Sequence, residues 1–424
     1  MFMRTHHLSD IEIETLEPAL PSLRVAMVTE TYPPEINGVS LSVAQMVRCL
    51  RERGHSIQLV RPRQNTPVPT ALAMSPSEDE FLVRGMVIPR YSHLQMGLPA
   101  KRSLERLWLQ RRPDVVHIAT EGPLGWSALK AALKLRIPVS TDFRTNFDAY
   151  SAHYGLGWLR RPIAGYLRKF HNQGAFTTVP TIESCALLEE SGFERLQIVP
   201  RGIDTQQFHP NLRSEELRKH WGARSGQTVV LHVGRLAPEK NLDLLARTLT
   251  HIAAHAPDVI QVVVGDGPAS HKLAQACPQA RMVGSLRGSA LSAAYASADV
   301  FLFPSVTETY GNVTPEALAS GLALLAFRHA AAAELIVDGF NGVCVEVDSP
   351  ELFVQKALAL VRDPIGIAQL RKNARASIEA RDWHSVVHML ETLWRGLLPS
   401  VSPLQAVSAQ PPAPLAKWGQ PLTT

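Results

Sequence analysis

Four cysteines in 424 residues, Cys49, Cys185, Cys277 and Cys344, lie far apart in the chain. Thiols this sparse exclude a disulfide frame and a zinc site of closely spaced cysteines, and point to a reducing, cytoplasmic setting. Long apolar runs are missing as well; nothing approaches the roughly 20 residues that a membrane-spanning helix needs. The opening stretch MFMRTHHLSDIEIETLEP puts acids and histidines where a secretory signal requires an apolar core. No DxD triad is evident, and the acidic run Glu78–Glu80 falls in a polar stretch that reads as solvated surface. With 45% hydrophobic and 19% charged residues the chain belongs neither to the disordered nor to the membrane-embedded classes.

What is present is a uniform alternation. From residue 23 onward, short β-branched runs alternate with helical periodicity, the pattern of βαβ units and parallel sheets. RVAMVT, HSIQLVRP, MVIPRY, DVVHIAT, IPVSTDF, FTTVPT and LQIVP read as strands of a first half, which the turn RGID closes. TVVLHVGR starts the pattern again, followed by VIQVVVGDGP, ARMVG, DVFLFPS, ALLAFR and GVCVEVD. The expected architecture is α/β, with two Rossmann-like doubly wound domains facing across a cleft. The boundaries are an N-terminal extension at 1–22, a first domain at 23–205, a second at 206–380, a helix returning to the first domain at 381–397, and a Pro-, Ala- and Ser-rich disordered tail at 398–424. Net charge is +5, yet residues 101–171 hold 13 Lys and Arg against five Asp and Glu, a local excess of +8. The surface is therefore basic in one region only.

The pentapeptide VTETY occurs twice, at Val28–Tyr32 and Val306–Tyr310. Each copy follows an apolar strand, and ligands of open α/β sheets bind beyond the carboxyl ends of strands. The flanking elements differ, so this is a similar location and not an internal repeat. In VGRLAPEKN, Arg235 and Lys240 lie on a loop leading into a helix, where two cations suit a phosphate or diphosphate; an ordinary solvated loop is the competing reading. Gly265 and Gly267 after a strong strand let backbone approach a ligand closely, or form a tight turn. Glu308 and Glu316 are eight positions apart, with Gly311 and Asn312 between them and Pro315 opening a helix. Glu316 can serve that helix dipole, whereas a loop carboxylate at Glu308 suits hydrogen bonds to sugar hydroxyls.

Taken in order, ETYPPEINGVS, GRLAPEKN, GDG, ETYGNVTPEALASG and DWHSVV resemble the retaining GT-B glycosyltransferases of family 4 over about residues 23–397. The likeness is greatest to bacterial GDP-mannose-dependent α-mannosyltransferases and to sulfolipid-synthase-like relatives. The resemblance implies that Gly38 lies in a glycine loop near the donor phosphates and that Arg235 and Lys240 hold the diphosphate. It further implies that Glu308 binds the transferred sugar, with Tyr310, Gly311, Asn312 and Val313 presenting backbone groups to it. Glu316 would hold the ribose, and Gly284, Ser285 and Leu286 would line the base pocket. His117, in DVVHIATEGP, is a candidate catalytic histidine or a core residue. Where relatives often read FHT, this chain has TDFRTNF, so Asp142, Arg144 and Asn146 are acceptor-side candidates.

The implied reaction moves a sugar, mannose from GDP-mannose by this likeness, to a lipid-linked or glycan acceptor with retention and front-face attack. No cofactor beyond the nucleotide-sugar substrate is implied, and no metal. A UDP-sugar-dependent glucosyl or sulfoquinovosyl glycolipid transferase is the alternative donor reading. A sugar-nucleotide epimerase and a non-catalytic nucleotide-binding module stand outside transfer. The basic stretch carries no nucleic-acid-binding signature. Instead, Gly157–Asn172 interleaves Trp158, Leu159, Ile163, Tyr166, Leu167 and Phe170 with Arg160, Arg161, Arg168 and Lys169. That pattern predicts either a helix lying on an anionic membrane surface or one packed on the first domain.

Overall fold

The computed structural model describes residues 5–8, 11–14, 21–35, 37–63, 79–88, 91–144, 160–308 and 310–399. Asn146, Trp158 and Leu159 lie outside these, as does all of the expected tail from residue 400.

Two parallel sheets organise the chain. The first contains β1 (Arg24–Val28), β2 (Ser56–Pro62), β3 (Glu80–Val83), β4 (Val115–Ile118), β5 (Val139–Asp142), β6 (Phe176–Val179) and β7 (Leu196–Ile198). Its spatial order is β3-β2-β1-β4-β5-β6-β7. The second contains β8 (Val229–Val233), β9 (Ile260–Val264), β10 (Arg281–Gly284), β11 (Val300–Phe303), β12 (Ala323–Phe327) and β13 (Gly342–Val345), in the order β10-β9-β8-β11-β12-β13. Both sheets thus run outward from their first strand and reverse beside it, which makes each a doubly wound sheet with a switch point. The strands read as continuous apolar runs because helices cover both faces. Alternate residues show it: Val25 and Met27 enter one buried cluster, Ala26 and Val28 another. Val229, Leu231 and Val233 likewise face one side of the second sheet while Val230 faces the other.

One strand was misplaced by the sequence. MVIPRY does not join the parallel sheet: Gly85–Ile88 pairs antiparallel with Tyr91–Gly97 in a separate two-stranded ribbon. The edge of the first sheet is instead EFLV, which begins in the acidic run taken above for solvated surface. Glu80 is neutralised there by an ion pair with Arg61 on β2.

The connection between the halves passes through Gly202, where an added Cβ would sit 2.6 Å from Trp383. That close approach lets Ile203 bridge to Asp382 at the start of the helix Trp383–Arg395. This helix packs back onto the first half. Trp383, Val386, Val387, Leu390 and Trp394 are buried among Met27, Val43, Met46, Val47 and Leu50. Glu391 on it is clasped by Arg53 at 2.7 Å and Arg395 at 2.6 Å.

The two VTETY copies now have positions. The first starts on the last residue of β1 and the second three residues beyond β11. β1 adjoins β4, and β11 adjoins β8, so each copy flanks the switch point of its own sheet.

Candidate active site

The carboxyl ends of β8 and β11 carry the loops that bear Arg235, Lys240 and Glu308. Side chains bind these loops to one another: Asn241 donates to the Pro304 carbonyl at 3.1 Å and Thr307 to the Glu239 carbonyl at 2.7 Å. Asn241 holds the left-handed conformation, φ 55°, that the turn into the helix Leu242–His255 requires. Lys240 Nζ lies 2.5 Å from Glu308 Oε1, and Ser305 donates to the same oxygen at 2.8 Å. Arg235 forms an ion pair with Glu239. Lys240 and the loop carboxylate, 68 residues apart in sequence, therefore meet at one switch point, with Arg235 on the same loop as Lys240 and paired to Glu239.

Gly265 and Gly267 bring two loops of the protein together. Each has positive φ, and a Cβ would strike the Gly234 carbonyl from the first and the Leu236 carbonyl from the second. The close approach is to protein backbone: the two glycines let the β9 loop lie against the Arg235 loop, with Leu236 N–H donating to Asp266 O at 2.9 Å. Gly265 N–H donates to Gly284 O at 2.9 Å, which joins this loop to Gly284, Ser285 and Leu286 after β10.

Glu316, in the helix Val313–Ala319, accepts from the Tyr295 hydroxyl at 2.8 Å. Burial raises its carboxyl to about 7, against the opposing effect of that hydrogen bond. Tyr310 is buried, and its hydroxyl donates to the Arg201 carbonyl at 3.2 Å. Its side chain thus braces the connection between halves, while Gly311 (φ 84°), Asn312 and Val313 carry the chain from Glu308 into the helix.

From the first half, the helix Gly38–Glu52 points its start at this region. Asn37 caps it by accepting from Ser40 N–H at 2.8 Å, and a Cβ on Gly38 would lie 3.5 Å from Asn312 Nδ2. Arg201 completes the crossing, donating to Asn312 Oδ1 at 3.2 Å and lying over the Tyr310 ring at 5.6 Å. Burial and the nearby Arg144 charge bring its guanidinium down to about 10. Asp142 and Arg144 form a buried ion pair at the carboxyl end of β5. Burial pushes the Asp142 carboxyl up, but Arg144 and His117 outweigh it and hold it at about 2.

His117 stands apart. Its ring is fully buried, bonded through Nδ1 to Ser140 Oγ at 2.9 Å and packed edge-on against Trp394 at 5.4 Å. Trp394 Nε1 donates to the same hydroxyl at 2.8 Å. The structure places this histidine in the core beneath the returning helix, with Nε2 3.9 Å from Asp142 Oδ2. The physical reason is its position on a central strand covered on that face.

The basic helix also departs from one expectation. In Arg160–His171, Leu167 and Phe170 are buried, Leu167 in a cluster with Phe143, Val179 and Phe193. Tyr166 donates to the Glu121 carbonyl at 2.6 Å. Leu167 and Phe170 of the apolar face are thus occupied by the first half, while Tyr166 and the cation Lys169 lie on the exposed edge.

Sequence reasoning overlooked Arg201, read only as part of a turn, and the cross-cleft contacts of Glu183, His329 and Glu334. Their partners lie more than 100 residues away, so no local spacing announces them.

Comparison with known proteins agrees with this geometry. Residues 36–207 match the family described as Glycosyltransferase Family 4, and residues 227–363 match Glycosyl transferases group 1. The chain is 34% identical over 364 residues to a GDP-mannose-dependent alpha-mannosyltransferase of Mycolicibacterium smegmatis, spanning 85% of this chain and 94% of that protein. It is 31% identical over 394 residues to a GDP-mannose-dependent alpha-(1-6)-phosphatidylinositol dimannoside mannosyltransferase of Mycobacterium tuberculosis, spanning 88% and 96%. Among solved structures, Anabaena HepE in complex with UDP superposes with a TM-score of 0.69 at 16% identity, over 88% of this chain and 100% of that one.

Proposed function

We propose a donor and an acceptor from one premise: the chain belongs to glycosyltransferase family 4 and is a glycosyltransferase with the GT-B fold. The donor we assign is GDP-mannose, which supports a hexosyl, α-mannosyl transfer. The observation that carries the reading is the meeting of Lys240 with Glu308, 2.5 Å apart, beside Arg235. Diphosphate oxygens would compete with Glu239 and Glu308 for the two cations, and Glu308, once released, would accept from hydroxyls of the sugar. The bond from the anomeric carbon to the diphosphate breaks as the acceptor oxygen forms its own bond on the same face. The acceptor's proton passes to the departing diphosphate. Arg235 and Lys240 stabilise that growing negative charge, which is where electrostatic preorganisation has its largest effect. Glu316 would receive the ribose hydroxyls, and Gly284 to Leu286 the base.

For the acceptor we propose a lipid-linked glycan or glycolipid at the cytoplasmic face of a membrane. The name of the dimannoside mannosyltransferase relative and the +8 excess over residues 101–171 support it. Among the described residues no helix is long and apolar enough to cross a membrane. With the apolar face of Arg160–His171 occupied, attachment would be electrostatic, through exposed cations on that helix and on Lys101–Gln110.

The test is a thermal-shift panel of GDP-mannose, UDP-glucose and ADP-glucose, then turnover with a lipid extract with and without EDTA. GDP-mannose should shift melting most, and GDP should appear only when extract is present. A preference for UDP-glucose would replace the donor, and a strict need for divalent metal would overturn charge neutralisation by Arg235 and Lys240 alone. Glu308→Gln should lose turnover more than GDP affinity; equal losses would place Glu308 elsewhere. Co-sedimentation with vesicles should rise with anionic lipid and fall with salt, and indifference to both would favour a soluble acceptor.

A further inference from the structure

Beside the loop that bears Glu308, two helix starts exchange carboxylates across the cleft. Glu183, in the first turn of the first-half helix Ile182–Glu190, accepts from Ala330 N–H of the second half at 2.9 Å. Glu334, in the second-half helix Ala331–Leu335, accepts from Ile182 N–H of the first half at 2.5 Å. Each half thereby supplies an acceptor to a backbone donor of the other, and the arrangement is reciprocal. His329 joins it to the donor site. Its Nδ1 faces Glu183 Oε1 at 3.0 Å and its Nε2 faces the Glu308 carbonyl at 3.1 Å. A carboxylate and a carbonyl only accept, so keeping both bonds requires an N–H on each ring nitrogen. Ala330 is held at φ 51° and ψ −130°, a conformation that a residue with a Cβ adopts only when its surroundings impose it.

We propose that His329 and Glu183 are positioning residues for glycosyl transfer: the exchange of carboxylates fixes the two halves at this edge, and His329 uses it to hold the segment bearing Glu308. The inference rests on Glu308 acting at the donor sugar. It follows from connectivity, since the bond that steadies the Glu308 backbone comes from a ring whose other nitrogen is anchored on the opposite half. Closure of the cleft at this edge and placement of Glu308 are then one event. Arg381, 4.0 Å from Glu334, adds a cation at the hinge side of the same group.

The experiment compares the full chain with His329→Ala, and with His329→Gln, whose amide can donate to one of the two acceptors but not both. Two readouts are taken: kcat and KM with GDP-mannose and lipid extract, and hydrogen exchange at the Ile182 amide. The Ile182 amide is held by Glu334 and not by His329, so exchange there reads the opposite arm of the carboxylate exchange. The expected result is a kcat loss of about tenfold or more for His329→Ala, the size of a lost charge-assisted hydrogen bond, with KM for GDP-mannose nearly unchanged. Exchange at Ile182 should speed in the same variant, and His329→Gln should fall between. Unchanged exchange with lowered kcat would overturn the cross-cleft connection, and faster exchange with unchanged kcat would overturn the positioning role. If the wild type does not turn over GDP-mannose, the donor assignment fails, while the exchange measurement still decides the connection.

Discussion

Glu30 in the first VTETY sets its carboxylate against the N–H groups of Leu124 at 2.8 Å and Gly97, and so starts the helix Pro123–Lys134 and ties down the ribbon. Glu308 in the second copy faces a lysine and a serine hydroxyl instead. Burial lifts the Glu30 carboxyl, while its amide partners pull the other way. The same residue at the same kind of sheet position thus becomes a helix cap in one half and the partner of a loop lysine in the other. Removing Lys240 or Arg235 by substitution with Ala should lower kcat/KM about 10- to 150-fold, from losing one charge-assisted contact of about 1.5–3 kcal/mol, with the melting temperature little changed. Wild-type kinetics in both variants would show that the diphosphate sits elsewhere. Glu316 gives a pH signature. Its carboxyl stands near 4.5 unfolded and about 7 folded, so its contribution to stability is complete below pH 4.5 and is lost as pH rises through 7. Glu316→Gln keeps an acceptor for Tyr295 and removes the titration. Relative to wild type it should gain stability between pH 5 and pH 8, by about 2–3 kcal/mol at most, in urea denaturation at the two values.

The returning helix was legible as an element, because Trp383, Val386, Val387, Leu390 and Trp394 mark an apolar stripe and Asp382 caps its start by accepting from Ser385 N–H at 2.7 Å. Its return to the first half came from the family resemblance and not from the stripe, since an amphipathic face specifies that it is covered and not by what. The helix Arg160–His171 shows the same gap from the other side: its stripe suits a bilayer and a protein core equally, and the core took it. Charge adds specificity to the returning helix. Burial pushes Glu391 up, but Arg53 and Arg395 outweigh it and hold its carboxyl at about 2. A depressed carboxyl stabilises above its unfolded value near 4.5, and that contribution fades as pH falls through about 2. Glu391→Gln should therefore cost about 1–3 kcal/mol at pH 7, allowing for partly exposed arginines, and progressively less towards pH 2. A constant penalty from pH 7 to pH 2.5 in denaturation curves would assign the loss to packing instead.

Over the whole molecule, the parallel α/β architecture emerges from alternation of buried strands and helices, a local signal repeated many times. The cleft was expected but its contacts do not emerge, because Arg201 with Asn312 and Glu183 with His329 are brought together only after both halves have folded. His117 stayed open between site and core for the related reason that a strand end in sequence says nothing of which face is covered. The independence of the halves can be tested through the same helix. The second half has two buried clusters of its own, one on each face of its sheet. The first half depends for one face on five large side chains of Trp383–Arg395. Burying each is worth about 1.5–3 kcal/mol, so together they rival the 5–15 kcal/mol stability of a typical domain. Ending the chain after Arg381 should thus unfold the first half while the second keeps its sheet. The expected record is loss of the higher-order melting of the intact chain, rapid proteolysis confined to residues before about 205, and a surviving fragment whose melting still rises with GDP. Two halves that unfold together in that truncation would mean that the cleft contacts, and not the separate cores, carry the second half's stability.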